Sequence, residues 1–223
     1  IASTVRANPS AGFSIVSYTG TGSAGAIAHN LNKKPDFVIT KNRTTANYWA
    51  VWHSSLTANN FLRLDLTMGE GTESNYWTDF DSNVVYVPGS GSAVNNVNTT
   101  SKEYISYLWN AVEGYSAFGS YEGNASNDGP FVYTGFRPAF VLTKWADGSD
   151  QWQIHDTARS PENVANEILM PNTDGIEQTY IYSEIDILSN GFKVRNSNQN
   201  VNAASTYIYA AFAENPFKTS RAR

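Results

Sequence analysis

Cysteine is absent from all 223 residues, which rules out disulfides and thiolate metal sites. That fits a chain made inside a cell, or a particle assembled there. Charge is scarce: Asp, Glu, Lys and Arg make up 16% of the residues and the net charge is −5. Nucleic-acid binding needs Lys and Arg gathered on one face. The only basic cluster is the tail, Lys218, Arg221 and Arg223, which reads as a solvated end, so no nucleic-acid partner is expected. No apolar run approaches the length of a membrane span, so no membrane insertion is expected either. Neither an initiating Met nor a signal peptide stands at Ile1, and the chain is therefore expected to be a fragment or a processed product.

What is present is a repeat. Residues 35–41, Pro-Asp-Phe-Val-Ile-Thr-Lys, return as residues 138–144, Pro-Ala-Phe-Val-Leu-Thr-Lys, an offset of 103 (138 − 35). The same offset relates Tyr18 to Tyr121, Gly20 to Gly123, Trp49 to Trp152 and Tyr104 to Tyr207. One offset held over so much sequence reads as an internal duplication. Residues 13–115 and 116–223 are the expected copies, each of ordinary domain size, and residues 1–12, which carry Gly, Pro, Ser and Asn with no periodicity, are the expected linker or arm.

Asn, Ser, Thr, Gly and Tyr are abundant, a composition for β-sheets with long polar loops. Short apolar runs recur with turn-formers about every ten residues. They begin at Phe13, Phe37, Tyr48, Phe61, Val84 and Tyr104 in the first copy, and near Phe118, Phe140, Gln151, Glu167, Phe192 and Tyr207 in the second. Asn190-Gly191 is a hairpin signal. The expected fold is all-β, with two tandem β-sandwich (jelly-roll-like) repeats; the alternative is one larger pseudo-symmetric sandwich. Strand side chains alternate faces. Trp49 and Val51, aligned with Trp152 and Ile154, are assigned inward, and Trp52, aligned with His155, outward. One helical window, residues 160–169, has Pro161 near its start.

Residues able to carry chemistry are few. His29, His53 and His155 lack metal-site spacing and read as surface or strand-edge polarity. No nucleophile elbow is present, and the Gly-rich stretch 20–25 precedes no helix, so it is not a dinucleotide site. Asp147-Gly148-Ser149-Asp150 could hold calcium, but reads better as a β-turn. No metal or cofactor is expected. The best acidic and aromatic constellation is Glu70, Glu73, Tyr76, Trp77, Asp79 and Asp81. Aromatic faces stack on sugars while carboxylates and amides bond hydroxyls, so the candidate ligand-binding residues are Trp52, Tyr76, Trp77, Asp79, Asp81 and Trp145. Lys41 and Lys144 recur at one point of the repeat, as charged strand ends or as a duplicated ligand contact.

Three stretches carry a resemblance: residues 13–25 with 29–39, residues 129–142, and residues 207–218, ending Tyr-Ile-Tyr-Ala-Ala-Phe-Ala-Glu-Asn-Pro-Phe-Lys. Together they resemble a duplicated β domain family of tailed-bacteriophage virion proteins. The resemblance implies a place in the virion, in a tail fibre or surface appendage, with adhesion rather than catalysis as its mechanism. Its motifs are structural and transfer no site residue. Implied partners are other virion proteins and a bacterial surface glycan, with a homo-oligomer allowed. The alternatives are a capsid-decorating β protein without ligand and a polysaccharide depolymerase.

Overall fold

The computed structural model describes residues 1–72, 76–91 and 94–214. Glu73 and the basic tail fall outside the described residues. The protein is all-β: its sheets are antiparallel and its helices are single turns. Two compact units emerge, Ile1–Asp65 with Glu70–Ala111, and Leu66–Gly69 with Val112–Arg223.

The first unit holds β1 (Ser3–Asn8), β2 (Phe13–Thr19), β3 (Gly25–Ala28), β4 (Phe37–Asn42), β5 (Trp49–His53), β6 (Leu62–Arg63), β7 (Asp79–Phe80), β8 (Val84–Val87), the helical turn α1 (Val94–Val97) and β9 (Glu103–Trp109). A six-stranded sheet runs β1-β2-β9-β4-β5-β6, and a three-stranded sheet runs β3-β8-β7. The expected linker is a strand: β1 pairs with β2 from Ser3↔Tyr18 to Asn8↔Phe13. Its turn-forming residues make the hairpin connection, where the Asn8 side chain accepts from the Ala11 N–H and Gly12 takes φ 62°. A left-handed residue is cheapest as glycine.

The second unit holds β10 (Ser116–Glu122), β11 (Phe131–Tyr133), β12 (Pro138–Trp145), β13 (Gln153–Asp156), β14 (Glu167–Leu169), β15 (Gln178–Thr179), β16 (Ile185–Leu188), β17 (Gly191–Val194), the turn α2 (Gln199–Asn202) and β18 (Thr206–Ala213). Its six-stranded sheet runs β10-β18-β12-β13-β14-β15, and its three-stranded sheet runs β11-β17-β16. Tyr121, Val141, Tyr207, Tyr209 and Ala211 of the large sheet pack with Val132, Ile185, Ile187, Phe192 and Val194 of the small one, a layered sandwich core. The β16–β17 hairpin closes at Leu188↔Gly191, as Asn190-Gly191 leads one to expect.

The offset of 103 reappears in both ladders. Tyr18 opposes Tyr104, and Tyr121 opposes Tyr207. Each pair stacks, with centroids 5.2 and 5.1 Å apart. Tyr18 Oη donates to the Val97 carbonyl at 2.7 Å, and Tyr121 Oη to the Val201 carbonyl at 2.8 Å. Tyr104 Oη accepts from Thr99 N–H, and Tyr207 Oη from Ala203 N–H, both at 2.9 Å. Buried tyrosines thus use their hydroxyls to fasten a loop to the core. Buried Asn98 and Asn202 fasten the neighbouring loop, each accepting a backbone N–H through Oδ1, from Thr21 and Asn124 respectively.

Two expectations are corrected. Val38 opposes Trp52 and Thr40 opposes Ala50, so the inward residues of β5 are Ala50 and Trp52, and Trp52 stacks on Phe80 of the small sheet at 3.9 Å. Val51 and Trp49 lie on the other face. In β13 the same inversion buries Gln153 and His155, where alternation with two polar residues suggested solvent. The 160–169 window is not a helix. Asn163 donates through Nδ2 to the Ile187 carbonyl and accepts the Ile187 N–H, while Ile168 pairs with His155; side-chain and ladder bonds take the place of helical ones.

Candidate functional site

The expected sugar platform is largely core. Tyr76 is 1% exposed and Trp77 5%. Tyr76 stacks on Phe61 at 3.8 Å, and its hydroxyl accepts from Arg63 Nη2 and Asn96 Nδ2. A stacking surface must reach solvent, and these two rings do not. Half-buried Trp52 has Phe80 against it and the Lys34 ammonium 5.8 Å from its ring. Asp79 is exposed and accepts the Phe80 N–H at 2.7 Å. Asp81 caps the turn into β8, accepting from Asn83 and Val84 N–H groups and from the Tyr86 hydroxyl. Those backbone donors hold its carboxyl below the usual carboxylate range. Trp145 belongs to the second unit, half-buried on Tyr207, with Nε1 donating to Ser205 Oγ at 2.8 Å.

All three histidines are buried, not superficial. His29 accepts the Leu31 N–H through Nδ1 and donates through Nε2 to the Asp81 carbonyl, and burial lowers its pKa. His155 donates through Nε2 to the Ser183 carbonyl at 2.6 Å, while its Nδ1 has no partner among the described residues. Burial pushes its pKa down to about 4, against the backbone bond to Ser183. Ser183 Oγ bonds Gln153 Oε1.

Lys144, next to last in β12, is 1% exposed and stays paired with Ile208, so it does not act as a charge that stops pairing. Its Nζ donates to the carbonyls of Trp145 and Gly148 at 2.6 and 3.2 Å. Lys41 likewise donates to the Asn47 carbonyl. Each lysine closes the loop that follows its strand. In the 147–150 turn, Asp147 accepts the Thr206 N–H and Asp150 the Gln151 N–H, so both carboxylates serve the turn. Among the described residues no three His, Asp or Glu groups are placed to hold a metal.

The second unit carries a cleft of about 750 Å³ lined by Asn127, Tyr180–Tyr182 and residues 196–200. Ile181 is 57% and Tyr182 49% exposed, and the Tyr180 and Tyr182 rings meet edge to face at 5.5 Å. The amides are oriented by the backbone. Asn127 Oδ1 accepts the Ser197 N–H, Asn196 Oδ1 the Asn198 N–H, and Asn198 Oδ1 the Asn200 N–H. Asn196 Nδ2 donates to the Ile181 carbonyl at 2.6 Å, joining the two walls. Ser183, next in the chain, fixes the tyrosine wall on His155 and Gln153. Rigid amides beside exposed aromatic rings suit a hydroxyl-rich ligand.

The family model that matches is the Domain of unknown function DUF7483, over residues 1–216. The chain belongs to this family. No curated protein and no solved structure is significantly similar to this DUF7483 chain.

Sequence reasoning missed the cleft because three separate segments of the DUF7483 domain build it. The available signals were the Tyr180-Ile181-Tyr182 triplet and the run of amides from Asn196 to Asn200.

Proposed function

We propose that this chain is an attachment module of a tailed-phage particle, displayed on a tail fibre or surface appendage, which holds a bacterial surface glycan in the Tyr180–Tyr182 cleft. The single observation that carries the glycan part is the cleft itself: exposed Tyr182 and half-buried Tyr180 facing a wall of backbone-oriented amides. The phage setting is supported by the resemblance of residues 13–25 with 29–39, 129–142 and 207–218. Weak single contacts become strong attachment when many copies are displayed together. The depolymerase alternative gains nothing from Asp79 and Asp81, which support the turn between β7 and β8.

An array of bacterial surface polysaccharides tests the reading. Binding is expected, and periodate cleavage of the sugars' vicinal diols is expected to abolish it. No binding, or binding that survives periodate, overturns the attachment reading in favour of a decorating protein without ligand.

A further inference from the structure

We propose that the cleft is selective for uncharged sugars and rejects anionic polysaccharides; this rests on the glycan reading above. Among the described residues its lining holds no Asp, Glu, Lys, Arg or His: tyrosines, asparagines, one glutamine, a serine and Ile181 form it. With the Oδ1 atoms of Asn127, Asn196 and Asn198 held by backbone N–H groups, the Nδ2 donors of Asn127 and Asn198, the Gln199 amide and both tyrosine hydroxyls have no hydrogen-bond partner among the described residues and remain for a ligand. Asn200, 7% exposed, adds a nearly buried amide to the same wall. These are neutral donors and acceptors, matched to hydroxyls and acetamido groups.

The charges that flank the cleft point the same way. An anionic sugar is normally held by a free guanidinium or ammonium. Among the described residues, cations next to the lining are already paired: Lys193 with Asp128 at 2.8 Å and Arg195 with Asp186. Glu184 lies 3.3 Å from Asn196 Nδ2. Among the described residues Glu184 thus adds a carboxylate beside Asn196, and an arriving carboxylate or phosphate meets like charge.

The experiment is equilibrium binding of the full chain to bacterial polysaccharides sorted into neutral and acidic sets, with Tyr182→Ala and Glu184→Gln variants checked for unchanged melting. Neutral ligands are expected to bind at least about tenfold more tightly than acidic ones. Little change is expected between low and high salt, because no ion pair forms with the ligand. Tyr182→Ala should lose about tenfold or more, the order of one lost stacking contact, and Glu184→Gln should narrow the gap between the sets. If acidic ligands bind as tightly and still require Tyr182, or if binding falls steeply with salt, the selectivity is overturned while the cleft stands. If Tyr182→Ala leaves all binding intact, or no polysaccharide binds, the cleft reading itself falls.

Discussion

Replacing Lys144 with methionine isolates the effect of an ammonium held inside the second unit. Burial lowers the Lys144 pKa from 10.5 to about 8, with the carboxylates of Asp150 and Asp147 acting in the opposite direction. The folded chain therefore releases this proton more readily than the unfolded chain. Stability rises with pH wherever the unfolded state binds more protons, so wild-type protein gains stability from near pH 8 up to the unfolded value. Taking both pKa values, the gain between pH 7 and pH 9.5 is about 2 kcal/mol, on the order of the shift expected at 1.4 kcal/mol per pKa unit. Ionisation of tyrosines complicates the raw curve. Burial raises the pKa of Tyr18 and Tyr121, and that of Tyr207 to about 12, so unfolding is favoured at high pH by their release. The difference between wild type and Lys144→Met cancels that contribution. The variant also leaves the Trp145 and Gly148 carbonyls without their donor, a cost of about 1–3 kcal/mol that does not vary with pH. The assay is urea unfolding of both proteins at pH 7, 8, 9 and 9.5. Wild type should gain on the variant steadily across that range. A flat difference would mean that the carbonyl bonds fully offset the loss of hydration, and the argument from burial would be wrong.

A parallel comparison applies at acid pH. With a folded pKa of about 4, His155 stays neutral in the core, so stability present above the unfolded value of 6.5 is lost as pH falls towards 4. Wild type should lose about 2 kcal/mol relative to His155→Gln between pH 7 and pH 4.5, measured by urea unfolding. Glycine at the loop anchors can be tested by size. A Cβ at Gly123 would lie 1.8 Å from the Ala203 carbonyl oxygen, and one at Gly20 2.3 Å from that of Thr99. Gly123→Ala should cost about 3 kcal/mol or more and Gly20→Ala somewhat less. Gly175→Ala, whose nearest neighbour is 3.3 Å away, serves as the control in the same thermal melts.

The strands were legible because their signals are local. Phe37 and Phe140 open apolar runs bounded by prolines, and β4 and β12 begin there, or one or two residues earlier. The offset linking Tyr18 to Tyr121 and Tyr104 to Tyr207 was visible, and the ladders place those residues opposite one another. Facing was not legible for β5 and β13. Trp52 and His155 are amphipathic side chains whose identity does not decide burial, and the bonds that admit His155 come from Ser183, distant in sequence. Residues 1–12 looked like a linker because a turn and a strand whose only apolar residues are Val5 and Ala7 share the vocabulary of a tail. The cleft was invisible for a related reason: Asn127, Tyr182 and Asn198 have ordinary surroundings in the chain, and only the closed sandwich brings them to one cleft.

Ser183 divides two regimes within a single step of the backbone. Its own atoms are sealed against a histidine and a glutamine of the interior, while Tyr182 before it stands half in water. Sequence to the N-terminal side of that boundary can therefore drift, or be exchanged for a guest tripeptide, without disturbing the sheets beneath. Under the attachment role proposed above, residues 180–182 are where ligand choice would change while the framework stays as it was.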